Sequence, residues 1–237
     1  YIGNLNVILF APEDLSLVKG SPAIRRRFID MEFGQIDPRY LYNLTRYRTI
    51  LKQRNNYLKQ LQQKKATDTL YLEVLSEQLA QFAGAIIVKR LEFLAELERY
   101  AKEIHGQITQ DKEQLAFSYE SSLKESSQAT ENEITEALKK GFANLQQKEI
   151  FQGTTLLGPH RDDVVFKING QNVQVYGSQG QQRTTALSVK LAEIELMKNK
   201  TGEYPILLLD DVLSELDGNR QTHLLKTIQG RVQTFLT

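Results

Sequence analysis

The chain has no cysteine, which excludes disulfides and thiolate metal sites and suits a reducing, cytoplasmic setting. Its three histidines, His105, His160 and His223, are too far apart for a metal motif, and His105 and His223 read as ordinary helix residues. No apolar run approaches the ~20 residues of a membrane-spanning helix, and no signal peptide is visible, so no membrane partner is expected. Internal repeats and low-complexity tracts are missing as well. What is present, 237 residues of which 41% are hydrophobic, is enough to bury a full core as one large or two small domains. The first residue is Tyr1, so the native N-terminus is expected to lie upstream.

The net charge of +1 hides an asymmetry. Between Lys19 and Lys65 there are 12 Lys/Arg against 3 Asp/Glu, a local +9, which leaves −8 for the remainder. Such a segment is suited to an acidic polymer, and equally to a solvated helix face. Its DNA-binding candidates are Arg25, Arg26 and Arg27, with Lys52, Lys59, Lys64 and Lys65 further along. Successive helical residues point about 100° apart, so the three arginines cannot share one phosphate row. At least one is expected to pair with Asp30 or Glu32 or to support the fold.

The pattern of elements is α/β with a helical insertion. Residues 1–38 hold a short strand, "NVILF", and a helix that Ser21 can cap with Pro22 at its first position. Residues 39–150 are mainly helical. Apolar positions at Leu44, Tyr47, Leu51, Leu58 and Leu61 are interrupted by Arg54, and a second series runs from Leu75 to Ile104 with a break at Lys89. Joined by "QQKKATD", the two series suit a short antiparallel coiled-coil arm, or an ordinary bundle. "QLAFSYESS" suits a strand, and Glu131 to about Lys148 a further helix. Residues 151–237 return to strand and helix: "DDVVFKINGQNVQVYG" reads as two strands joined at Asn169-Gly170.

Next comes "VYGSQGQQRTTALSVKLAEIELMK", an amphipathic helix framed at its start by Gly177 and Gly180. Its free N–H groups and positive dipole end suit a phosphate; Ser178 as a plain cap in a glycine turn explains the same residues. Downstream, Ile206 to Leu209 is a continuous apolar run expected to form a central buried strand. It ends in Asp210 and Asp211, at the strand edge where ligands of open α/β sheets sit.

Taken together, "SQGQ", "ILLLDD" and "SELD" resemble the signature motif, Walker B strand and D-loop of ABC-type ATPases. Within that class the chain most closely resembles the RecF family of bacterial recombination mediators, through "FAPEDLSLVKGSPAIRRRFID", "ILKQRN", "LLGPHRDD" and "SQGQQRT". The resemblance implies the C-terminal part of a P-loop ATPase head with a helical lobe inserted. It implies that Ser178, Gln179, Gly180 and Gln181 bind nucleotide in trans, and that Ser214 and Asp217 form the D-loop. Asp210 would hold Mg²⁺ through water, and Asp211 would orient or deprotonate the attacking water. Aspartate is shorter than the glutamate common at that position, so slow ATP turnover is implied. Arg161 of "GPHRDD" reads as a ligand- or interface-facing cation, or as a surface salt bridge. The implied cofactors are ATP and Mg²⁺. The implied partners are DNA, including single/double-strand junctions, a second copy in an ATP-dependent homodimer, and other recombination mediators.

Two departures matter. No G-x-x-x-x-G-K-[ST] occurs, and no Q-loop glutamine stands near Asn6–Phe10, so the sequence is expected to be part of a longer ATPase that supplies the phosphate loop. An SMC-like chromosome-organising head and a non-enzymatic helical adaptor are the other two readings. The short arm speaks against the first, and a phosphate loop upstream would speak against the second.

Overall fold

The computed structural model describes residues 5–123, 129–210 and 217–236. The chain forms two compact units interleaved in sequence: a sheet-containing unit of residues 1–38, 92–119 and 163–237, and a helical unit of residues 39–91 and 120–162. The expected helical stretch 39–150 is therefore divided between them. Helix α4 (Leu70–Thr109) contributes to both, and 151–162 belongs to the helical unit.

In the sheet-containing unit, β1 (Val7–Phe10), β5 (Ile206–Leu209) and β6 (Thr234–Leu236) form a parallel sheet with β5 in the centre. Ile8 and Phe10 pair with Leu207 and Leu209, and all four are buried. The expectation that Ile206–Leu209 is buried on both sides needs correction. Leu9, Leu208 and Phe235 form one cross-strand row and are 50%, 36% and 51% exposed. The strand alternates like one covered on a single face, although parallel sheets are normally covered on both.

The buried face meets α7 (Gln179–Thr201), which in turn packs against α1 (Ser16–Lys19), α2 (Pro22–Ile36) and a 3₁₀ turn at Pro12–Leu15. Pro22 opens α2, but the Ser21 side chain makes no cap bond. A second sheet has the order β2 (Leu115–Glu120), β3 (Asp163–Ile168), β4 (Gln171–Asn172). Asn169 and Gly170 make the β3–β4 turn with φ of 50° and 80°, the left-handed pair that a two-residue hairpin requires. The second strand stops early: Val173–Tyr176 is a short helix, α6, because the Asn172 side chain accepts from the Gln174 N–H and turns the chain into a helical cap. Helix α8 (Gly218–Ile228) follows β5 in this unit.

The helical unit is built from α3 (Pro38–Gln62), the first part of α4 and α5 (Glu131–Gln152). Three helices pack here rather than two: a Cβ on Gly84 of α4 would lie 2.2 Å from Thr135 Oγ1 and 3.2 Å from the Glu131 carbonyl of α5. This is the bundle alternative, with a close approach that only glycine permits. Arg54 does not break the apolar stripe of α3. It continues it, fully buried among Tyr47, Ile50, Leu58 and Leu61. Its guanidinium donates to Glu149 Oε2 at 2.6 Å, Thr155 Oγ1 at 2.8 Å and Ser76 Oγ at 2.9 Å, and stacks 4.6 Å from the Phe142 ring centroid. Glu149 in turn accepts from the Leu156 N–H at 2.7 Å. One cation thus joins three helices and the segment after α5.

Arg54→Met removes the cation and leaves a buried carboxylate without its charge partner. We expect a loss of about 3–5 kcal/mol in chemical denaturation, with part of it recovered by adding Glu149→Leu. A loss below about 1 kcal/mol contradicts this role for the pair.

Candidate functional site

Three local devices place the segment Ser178–Gln181. Gln174 of α6 donates to the Lys19 carbonyl at 3.0 Å and the Gly20 carbonyl at 2.9 Å, which pins the approach. Gly177 leaves α6 so tightly that a Cβ there would sit 2.5 Å from the Val173 carbonyl. Ser178 then caps α7: its Oγ accepts from the Gln181 N–H at 3.2 Å, and Gln181 Oε1 accepts from the Ser178 N–H at 2.9 Å. The cap reading of Ser178 is what the structure shows. The first turn of α7 carries no acidic residue of its own, and Ser178 and Gln179 are exposed, so the start of the helix is open to solvent.

A polar network beneath this turn was not legible from spacing. Gln181 Nε2 donates to Glu113 Oε1 at 3.0 Å; Glu113 Oε2 lies 3.1 Å from His105 Nε2, and His105 Nδ1 lies 3.1 Å from Ser188 Oγ. His105, expected to be an ordinary helix residue, is fully buried inside this network, and burial lowers its pKa despite the Glu113 carboxylate. On the other side stands Arg220 of α8. It donates to Thr184 Oγ1 at 2.8 Å and the Gly180 carbonyl at 3.0 Å, and forms an ion pair with Asp217. Asp217 caps α8 by accepting from the Arg220 N–H at 3.0 Å. The structure therefore ties Gly180 and Asp217 together through one side chain.

The carboxyl end of the parallel sheet forms a second locus. Asp210 follows β5 with its N–H bonded to the Phe10 carbonyl at 2.9 Å and its side chain exposed. Asp211 and Ser214 lie outside the described residues. Close to the end of β1, the 3₁₀ turn is closed by Asp14, whose Oδ2 accepts from the Ala11 N–H at 2.9 Å. Asp14 also belongs to a charge cluster around Lys190 of α7. Lys190 Nζ is 3.1 Å from Glu193 Oε2 and 3.9 Å from Asp14 Oδ1, and lies against Phe10 and Phe28. Burial pushes Glu193 well above the usual carboxylate range and Glu32 up to about 7, with Lys190 opposing both. Burial alone depresses Lys190, but the three carboxylates outweigh it and its pKa is raised. The signal available in the sequence was charge inside an otherwise apolar run, "ALSVKLAEIEL".

Of the basic candidates, Arg25 needs correction. It is 3% exposed and bidentate to Asp163, at 2.8 and 2.7 Å, with a further bond to the Gly20 carbonyl. It is the arginine that supports the fold, with Asp163 as its partner in place of Asp30 or Glu32, and its charge is spent inside the fold. Arg26 is half-buried and Arg27 exposed. Lys52 and Lys59 are exposed seven residues apart on α3, which puts them on one stripe, and Lys64 and Lys65 are exposed in the turn after the helix. Arg161 is exposed and donates to the Thr155 carbonyl at 3.1 and 2.8 Å, which anchors one side of its guanidinium to the fold. Around it, Gly158 has φ 121° and leaves room for Tyr47, which bonds His160 Nδ1 at 2.5 Å. "LLGPHRDD" is thus a structural junction of the helical unit, apart from Asp163.

No family model matches the chain. Over its whole length it is 71% identical to the DNA replication and repair protein RecF of Ligilactobacillus salivarius, spanning 62% of that protein. It is likewise 61% identical to RecF of Latilactobacillus sakei and 58% identical to RecF of Bacillus subtilis, in each case spanning 64% of the relative. The chain therefore covers less than two thirds of the relatives it matches. Among solved structures it superposes on the recombination mediator protein RecF-ATPrS in the RecFOR pathway with a TM-score of 0.92 at 35% identity, covering all of this chain and 63% of that one. RecF-ATP gives a TM-score of 0.91 at 36% identity, with 62% of that chain covered. Along every residue this chain is thus similar in sequence to RecF proteins, and it shares the fold of their solved structures.

Proposed function

We propose that this chain is the signature- and Walker B-bearing part of an ATP-dependent DNA-binding protein of recombinational repair and replication. In this reading it dimerises on ATP and mediates recombinase loading at DNA gaps. The observation that carries the reading is the first turn of α7: an exposed helix start without an acid of its own, with glycines where a phosphate needs close approach, in a chain whose structural neighbours are RecF-ATP and RecF-ATPrS. Ser178, Gln179, Gly180 and Gln181 contact the γ-phosphate of a nucleotide held mainly by the opposite subunit, and Ser214 and Asp217 lie across the same interface. Asp211 orients or deprotonates the attacking water.

Mg²⁺ fits this donor set. It keeps several waters and takes one or two carboxylates beside phosphate oxygens, and Asp210 supplies an exposed carboxylate at a strand end. When bound, the ion neutralises charge developing on the phosphates. The apolar row Leu9, Leu208 and Phe235 is the surface that the phosphate-loop elements of such an ATPase cover.

The DNA surface in this reading consists of exposed Lys52, Lys59, Lys64 and Lys65, with Arg27 and Arg26 as separate contacts and Arg25 excluded. Lys64 holds φ 59°, a left-handed conformation that glycine adopts without strain and lysine does not, so a charged side chain is kept there at a cost of roughly 1 kcal/mol. Cytoplasmic location and DNA junctions as ligands are part of the same proposal.

In a full-length protein carrying this segment, Ser178→Arg crowds the γ-phosphate position while leaving nucleotide binding to the monomer intact. Losing the cap costs only about 1 kcal/mol of helix stability. Light scattering is expected to show no ATP-driven dimer; dimerisation equal to the unmodified protein contradicts the trans site. For DNA, removing Lys52 or Lys59 is expected to weaken duplex binding irrespective of sequence and to reduce the slope of log affinity against log salt by about 1 for each true phosphate contact. Unchanged affinity and slope in the double variant return the stripe to a solvated face.

A further inference from the structure

We propose that Arg220 is a positioning residue that locks the start of α8, and with it Asp217, to the first turn of α7. The two surfaces offered across the dimer interface then shift as one body. The inference rests on the trans-site reading above and adds a residue and a coupling to it.

The geometry is specific to a guanidinium. Nε reaches Thr184 Oγ1 at 2.8 Å, Nη2 reaches the Gly180 carbonyl at 3.0 Å, and Nη1 pairs with Asp217 Oδ2. Three directions of one rigid, planar fork are thus used on three acceptors. Thr184 Oγ1 itself donates to the Gly180 carbonyl at 2.9 Å, so that oxygen collects two side-chain donors from two helices. Asp217 is engaged twice by the same residue, through the Arg220 N–H and through the guanidinium, so both carboxylate oxygens are oriented and the entry of α8 is fixed.

The placement of the partners distinguishes this from a surface ion pair of negligible worth. Thr184 is 2% exposed and the Arg220 side chain 19%, so the fork is largely sheltered, while the Asp217 side chain at its outer end is 54% exposed. One end of the contact is anchored in the most buried helix of the sheet-containing unit; the other holds an acid at the surface. A displacement of Gly180 by a ligand at the α7 N-terminus is therefore passed to Asp217 through two bonds, and a displacement of Asp217 returns the same way. A lysine has the charge but not the fork.

The test uses a full-length protein carrying this segment, with Arg220→Gln, Arg220→Lys, Thr184→Val and the Thr184→Val/Arg220→Gln pair. Read-outs are ATP-driven dimerisation by sedimentation, Mg-ATP binding to the monomer by titration, and hydrogen exchange of the Ser178–Gln181 amides. Arg220→Gln is expected to raise the dimer dissociation constant about tenfold or more. Arg220→Lys fails to restore it, monomer affinity for Mg-ATP stays unchanged, and exchange at Ser178–Gln181 speeds up. Thr184→Val, near-isosteric and retaining the core, gives a smaller loss that is not additive with Arg220→Gln. Wild-type dimerisation in Arg220→Gln, full rescue by lysine, or additive effects in the pair overturn the proposal. If the unmodified protein forms no dimer on ATP, the trans-site reading is what fails. The exchange measurement still decides the coupling, since unchanged protection at Ser178–Gln181 refutes it by itself.

Discussion

Burial of α7 is the constraint on which the sheet-containing unit depends. From Gln182 to Met197 only Arg183 and Glu195 reach the surface, so the helix is enclosed on every side rather than along one stripe. A helix enclosed in this way cannot rotate or slide without opening the core. Its N-terminal turn therefore emerges at a fixed point and angle, with Ser178 and Gln179 outside and Gln182 already inside. Enclosure also forces Lys190 and Glu193 into the interior, one turn apart. They persist there because each answers the other, with Asp14, Glu32 and two aromatic faces completing the surroundings. Glu193 Oε1 has no hydrogen-bond partner among the described residues, which is consistent with a carboxyl that burial holds toward its neutral form.

Positions set by local chemistry could be read from the sequence. Pro22 at a helix start, Asn169-Gly170 at a hairpin, Ser178 at a cap and an apolar strand ending in Asp210 each follow from backbone rules that act over a few residues. What could not be read depends on distant partners. Arg54 sits in register with leucines, but whether it breaks a stripe or continues it is decided by Glu149, 95 residues away. Arg25 looks like its neighbours Arg26 and Arg27 until Asp163 arrives from β3. His105, Glu113 and Arg220 have no motif at all, since nothing in their spacing shows that they converge on α7.

The family resemblance and the physical reading sort the same residues differently. "LLGPHRDD" helps to mark the family, yet in the structure it closes a polar junction: Gly158 makes room for Tyr47, His160 bonds it, and Arg161 holds a carbonyl. "SQGQ" carries the resemblance too, and there the structure leaves Ser178 and Gln179 exposed. A shared motif is thus no guide to whether a residue acts on a ligand or on the fold; the direction of its hydrogen bonds is.

The account holds that these 237 residues carry the signature and strand-end acids but not the loop that cradles the α- and β-phosphates. Titration of Mg-ATP into the isolated chain, with circular dichroism confirming that it is folded, tests that claim most directly. The account predicts no measurable binding heat at micromolar concentrations. A saturable micromolar affinity contradicts it, and places a complete nucleotide site within the chain.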